Sequence, residues 1–163
     1  MGRGAKRPRH LCNVEAEASL LGAALIGGEE VLGFPTVKRV DPSDFWDYRH
    51  RDTWAAILEV VESGLTVDFL TVADELEKRG RLDAVGGVAF LTTMINACLS
   101  VMRADSHAVV VLEWSRRRKV EQAISGLGAA LYKDGDFEGA LGEAIVTLNA
   151  VKQSAETLSL IHI

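Results

Sequence analysis

Residues 106–151 read SHAVVVLEWSRRRKVEQAISGLGAALYKDGDFEGALGEAIVTLNAV, and this run decides the fold. No proline interrupts Ser106 to Lys133, and Val109, Leu112, Val120, Ala123, Ile124, Leu127, Ala130 and Leu131 recur at helical spacing, broken only by Arg116. That stripe predicts one long helix. Lys133-Asp134-Gly135-Asp136 supplies a helix stop, a tight turn and a new cap, after which Leu141, Ala144, Ile145, Leu148 and Val151 form a second stripe. Two striped helices joined by a four-residue turn make an antiparallel hairpin. A hairpin cannot cover both of its own stripes, and each apolar side chain left in water forgoes about 1 to 3 kcal/mol of burial, so a second copy is the expected cover. The residues expected at this dimer or partner interface are Leu112, Arg116, Val120, Ile124, Leu127, Leu131, Leu141, Ile145 and Leu148. Gly126 and Gly128 each cost roughly 1 kcal/mol inside a helix. They either allow close backbone approach or merely soften the helix.

Toward the N-terminus the helices are shorter. Asn13 caps a helix with Glu15 and Glu17 in its first turn, where the helix dipole favours acids, and Leu20, Leu21, Ala24 and Leu25 on one face; Gly27-Gly28 should end it. Glu29 to Val40, broken by Gly33 and Pro35, predicts one or two short turns. Pro42-Ser43-Asp44 is expected to open a helix whose inner face carries Trp46, His50, Trp54, Ile57, Leu58 and Val61, with Gly64 as its stop. Asp68 caps a further helix that turns Phe69, Val72, Ala73 and Leu76 inward and ends at Gly80, and a short apolar helix follows from Val88 to about Leu99. The expectation is an all-α chain: a small globular helical bundle at 13–100, then a long antiparallel helical hairpin at 101–153. A disordered basic arm at 1–12 and a linker stub with a non-native tail at 154–163 flank them.

Composition narrows the function. The 163 residues, 48% apolar and 25% charged, suit one globular domain. Lys and Arg number 18 against 23 acids, but four of the cations (Arg3, Lys6, Arg7, Arg9) fall in the first ten residues, so the remainder is distinctly acidic. An acidic body disfavours a primary nucleic-acid grip and favours a protein partner. Cys12 and Cys98 lack disulfide-scaffold or zinc spacing, and no apolar run approaches the roughly 20 residues that span a bilayer, so a soluble cytoplasmic protein with reduced thiols is expected. No Gly-Lys dipeptide occurs, which removes a phosphate-cradling P-loop, and the four histidines are scattered without paired-ligand spacing. No catalytic, cofactor or metal residue is predicted in this segment. His50, beside Trp46 and Trp54, reads as a hydrogen-bonded structural histidine. Arg116-Arg117-Arg118-Lys119 point all round their helix, so some must meet acids or a partner.

Several ordered motifs carry a resemblance. Asn13-Val14-Glu15-Ala16-Glu17 with Leu21-Gly22-Ala23, Asp44-Phe45-Trp46 with His50-Arg51 and Trp54-Ala55-Ala56-Ile57, Val67-Asp68 with Thr71-Val72-Ala73-Asp74-Glu75-Leu76, Gly86-Gly87-Val88-Ala89-Phe90-Leu91, and Arg118-Lys119-Val120 together resemble the N-terminal domain of the DnaB family of replicative DNA helicases. The resemblance implies a helical bundle plus hairpin that pairs into dimers and closes as a trimer of dimers. It implies a collar that docks primase or a helicase loader, above a RecA-like motor that would use ATP and Mg to unwind DNA. This chain departs from the family pattern at Leu11-Cys12 and over Leu99 to Ala108, before the long helix. Leu158-Ser159-Leu160-Ile161-His162-Ile163 resembles the in-frame translation of a transposon-end sequencing adapter, so a natural chain continuing past about Thr157 is expected. The alternatives are a stand-alone phage or plasmid primosome adaptor without a motor, and a helical DNA-binding regulator using the basic arm and Arg116 to Lys119.

Overall fold

A computed structural model describes residues 11–132 and 136–161. The expected arm at 1–12 therefore lies outside the described residues except for Leu11 and Cys12, as do Lys133 to Gly135 of the expected turn. The chain is all-α, with no strand among the described residues. Its helices are α1 (Val14–Leu32), α2 (Tyr48–Glu62), α3 (Phe69–Lys78), α4 (Leu82–Val85), α5 (Gly87–Ala97), α6 (Ala104–Ala130) and α7 (Phe137–Ile161).

Helix α1 is the axle of the bundle. The Asn13 side chain accepts from the Ala16 N–H at 2.9 Å, and Leu20, Leu21, Ala23 and Ala24 are wholly buried against α2, α5 and α6. Gly28 interrupts the helix at φ 52°, ψ −134°, as the Gly27-Gly28 stop predicts, and Glu29–Leu32 continue as a separate turn. A Cβ at Gly28 would lie 2.9 Å from the Val67 carbonyl, so glycine answers both a left-handed backbone and a close approach there. Short 3-10 turns at Val37–Arg39 and Pro42–Asp44 lead on to α2.

The start of α2 corrects the sequence reading. Pro42-Ser43-Asp44 forms its own turn, boxed by Asp41 and Asp44, and Phe45 is extended at φ −84°, ψ 139°. The helix begins only at Tyr48, with the Asp47 side chain accepting from the Arg49 N–H. The reason lies in α1: the Glu17 carboxylate takes the N–H groups of Trp46 and Asp47 at 2.8 and 3.4 Å, which holds 45–47 out of helical geometry. Trp46 is consequently exposed, and the buried face of α2 is His50, Thr53, Trp54, Ala56, Ile57 and Val60, with Val61 turned outward. Trp54 packs on Phe45 with centroids 5.3 Å apart and donates from Nε1 to the Val40 carbonyl at 3.0 Å, so its one polar atom is satisfied inside the core.

Asp68 caps α3 through the N–H groups of Leu70 and Thr71, and Val72 and Leu76 seal the outer edge of the core. The segment before α5 contains the short helix α4, which Gly86 ends at φ 110°. The base of α6 enters the same core through Ala104, Ala108, Val111 and Leu112, and from there α6 leaves the bundle and pairs with α7. Helix α7 runs on to Ile161, with Leu158 buried in the same core cluster.

The α1–α5 crossing is the tightest point. A Cβ built on Gly22 would fall 2.0 Å from the Met94 carbonyl oxygen, a position no side chain occupies without moving a helix. Gly22→Ala is expected to lower stability by about 3 kcal/mol in urea titration. Gly126, with nothing within 4 Å of an added Cβ, is the control: Gly126→Ala should raise stability by about 0.5 to 1 kcal/mol.

Candidate assembly and docking surface

Two features govern the surface that leaves the bundle: a polar neck where α6 emerges, and the two faces of the hairpin above it. The neck centres on Asp44, which is buried. Its Oδ1 accepts from the Ser115 hydroxyl and from Lys119 Nζ at 3.0 Å, its Oδ2 accepts from the Asp41 N–H at 2.9 Å, and its carbonyl accepts from Arg118 Nη2. Arg118 also donates from Nη1 to the Leu11 carbonyl at 2.8 Å, tying the segment before α1 to the same point. Burial lowers the Arg118 pKa, with Glu17 and Asp44 acting in the opposite direction. Asp105 makes a second tie at the foot of α6, accepting from the Thr36 N–H at 2.7 Å, the Thr36 hydroxyl at 2.9 Å and the Val37 N–H at 3.3 Å.

His50 is structural, as its sequence setting predicts. Its Nδ1 lies 2.8 Å from Glu17 Oε2 and its ring stacks on Phe90 at 5.8 Å, both partners deep in the bundle. Among the described residues no group of three His, Cys, Asp or Glu is placed to hold a metal ion. Both cysteines are free thiols, and burial is the leading influence raising the pKa of each.

The basic run divides by direction. Arg118 and Lys119 turn down to Asp44; Arg117 pairs with Glu113 and stacks over Trp114 at 4.6 Å. Arg116 faces α7, and its Nε is buried without a hydrogen-bond partner. The run therefore presents no row of free cations for a phosphate backbone.

The remaining predicted interface residues sort by height and side. Leu112 is buried in the bundle core, and Val120, Leu127 and Leu141 are half-buried between α6 and α7. Ile124, Leu131, Ile145 and Leu148 remain 63%, 58%, 50% and 41% exposed. A groove of about 260 Å³ runs along one side of the hairpin, floored by Ala123, Gly126, Ala140 and Ala144 and edged by Lys119 and Glu143. With about 100° between successive helical residues, Ile124 and Leu131 of α6 and Leu141, Ile145 and Leu148 of α7 lie on the opposite side. The hairpin thus has a small-residue groove on one side and an apolar face on the other.

Asp44, Arg118 and Lys119 of the neck are motif residues, as are Asn13, Glu17, Phe45, His50 and Trp54 of the bundle. The sequence pattern of the DnaB-like helicase N terminal domain matches residues 9–113. The chain belongs to that family. It is 30% identical over 152 residues to the replicative DNA helicase DnaC of Bacillus subtilis (strain 168), covering 89% of this chain and 32% of that protein. With the replicative DNA helicase DnaB of Rhodothermus marinus it is 32% identical over 108 residues, 66% of this chain and 11% of the relative. The chain therefore spans a third or less of these relatives. The crystal structure of the N-terminal domain of DnaB helicase from Mycobacterium tuberculosis superposes with a TM-score of 0.77 at 26% identity, over 88% of this chain and 99% of that one. A DnaB-like replicative helicase solved for its interactions with primase shares the fold at a TM-score of 0.66 and 22% identity, over 85% of this chain and 31% of that one.

Sequence reasoning did not place Glu17, Asp44 or Ser115 in the interior, nor the half-buried Asp105 at the foot of α6. Glu17 and Asp44 fall inside the motifs of a DnaB-like N-terminal domain, but so do the exposed Glu15 and Asp74, so position in a motif does not by itself mark an interior acid. Asp44→Ala removes the acceptor for Ser115 and Lys119 and is expected to cost about 2 to 3 kcal/mol in chemical denaturation.

The pH response has a definite sign. Asp41, Asp47 and Asp68 are held below the ordinary carboxylate value, chiefly by hydrogen bonds from Ser43, Arg49 and Thr71 respectively, and burial and then Arg103 hold His107 below the ordinary histidine value. In each case the unfolded chain binds the proton more readily than the folded one. The stability that these four groups contribute is therefore full above the ordinary histidine value of about 6.5 and falls as pH drops through it; a second loss begins below the ordinary aspartate value of about 3.9. Urea midpoints should decline in those two stages, and His107→Gln should flatten only the first.

Proposed function

We propose that this chain is the N-terminal collar domain of a hexameric replicative DNA helicase, with residues 13–100 as a globular head and 101–153 as the assembly hairpin. On this reading, hairpins pair into dimers through Leu112, Arg116, Val120, Ile124, Leu127, Leu131, Leu141, Ile145 and Leu148. Three dimers then close the collar, which docks primase or a helicase loader in the cytoplasm. Unwinding of duplex DNA, with ATP and Mg, is assigned to a motor domain of the parent protein, and DNA contact with it. On this reading residues 154–163 lead toward that motor, and 154–161 do so as the end of α7, with Leu158 packed into the core.

The apolar side of the hairpin carries this reading. Ile124, Leu131, Ile145 and Leu148 are exposed on one side of two adjacent helices, a contiguous patch of the kind that marks a protein interface. The engagement of Arg117, Arg118 and Lys119 with acids and carbonyls of the same chain counts against the DNA-binding regulator. Sedimentation of the wild-type chain at micromolar protein should give a dimer or larger species. The double variant Ile124→Asp, Ile145→Asp should run as a monomer with unchanged helical circular dichroism. A wild-type monomer at high concentration contradicts the reading.

A further inference from the structure

The apolar side of the hairpin carries a charge pattern that complements its own reverse. On α7, Glu138, Leu141, Ile145, Leu148 and Lys152 follow one another at alternating steps of three and four, the spacing of a single seam. The seam opens on an acid at the far end of the hairpin, closes on a cation at the neck end and has Ile145 at its midpoint. Glu138 and Lys152 are exposed and stand about 21 Å apart along the helix. Among the described residues neither makes an ion pair or a side-chain hydrogen bond. Arg117, Val120, Ile124, Leu127 and Leu131 repeat the same steps on α6, with the cation again at the neck end and Ile124 at the midpoint. Val120 and Val151 line one cleft, and Leu127 and Ala144 line the groove, so the two midpoints lie at about the same height on the hairpin.

We infer that two copies pair neck to tip, about a two-fold axis at the height of Ile124 and Ile145, so that Glu138 of each copy meets Lys152 of the other. A two-fold interface presents the same patch from both sides, so its charges must complement themselves. Laid neck to tip, with α7 on α7, the seam sets Glu138 against Lys152, Leu141 against Leu148 and Ile145 against itself. Laid neck to neck, it gathers Arg117 and Lys152 of both copies at one end and both Glu138 carboxylates at the other, and like charges brought together oppose association. A foreign protein needs no such symmetry, whereas a pattern that answers its own reverse fits a second copy as the occupant. The inference rests on the self-pairing proposed above and adds its direction and register.

The test uses the full 163-residue chain in sedimentation equilibrium. Glu138→Lys and Lys152→Glu are each expected to weaken dimerisation about tenfold, because every copy then meets like charge at both ends of the seam. The combined swap, Glu138→Lys with Lys152→Glu, is expected to restore wild-type affinity. Both side chains are exposed, so helical circular dichroism should not change. In a chain carrying Cys12→Ser and Cys98→Ser, Ile145→Cys should form an intermolecular disulfide on mild oxidation, whereas Leu141→Cys should link only to a copy carrying Leu148→Cys. Single variants that dimerise as tightly as wild type, a swap weaker than either single variant, or no Ile145→Cys disulfide in a chain that dimerises would overturn this direction of pairing and leave self-pairing standing. A wild-type chain that stays monomeric overturns both and assigns the face to a different protein.

Discussion

Burial of the Asp44 carboxylate at the neck is the constraint on which the rest of the structure depends. A withdrawn carboxylate must be met on every side, and here the donors come from two places: the Asp41 N–H within its own turn, and Ser115 and Lys119 from α6. Satisfying it fixes where the long helix crosses the bundle and at which residue. Arg118, one position before Lys119, then reaches the Asp44 carbonyl and the Leu11 carbonyl, so the segment before α1, the turn before α2 and the hairpin meet at one point. Glu17 does the corresponding work inside the bundle by holding Trp46, Asp47 and His50. Two acids on adjacent elements thus set the geometry that apolar packing alone would leave free to slide.

This division of labour explains what was legible in the sequence. Long elements with apolar periodicity were readable, because α6, α7 and the inner faces of α1 and α3 are set by burial, and burial leaves a spacing. The Gly28 break was readable for a different reason, since two adjacent glycines strip a helix of its conformational bias. The start of α2 was not, because it is decided by a contact 29 residues away in sequence, where the Glu17 carboxylate captures the Trp46 N–H. Local pattern cannot register such a contact. An acid in the first turn of a helix reads as a dipole partner, and only the packing of α1 against the 45–47 segment turns Glu17 into an interior group.

The surface has the same logic. The globular part spends its cations on its own acids and carbonyls, as Arg49 with Asp47, Arg79 with Glu59 and Glu75, and Arg81 with Asp52 show. Apolar side chains stay uncovered on the bundle at Leu70, Leu99 and Met102 and on the hairpin side opposite the small-residue groove. Among the described residues no single helix is long and apolar enough to cross a membrane. Gly126 lines the open groove, and an added Cβ at Gly126 or Gly128 would meet nothing within 4 Å, so neither glycine serves a close crossing inside the chain.

On the proposed reading the upper hairpin is completed from outside the chain, while the head buries its own core. Amide hydrogen exchange followed across a range of protein concentrations tests it most directly. The account predicts that amides of 121–130 and 141–150 gain protection as concentration rises, while those of 16–25 in α1 keep a constant, high protection. Exchange in the hairpin that is slow and independent of concentration would contradict it.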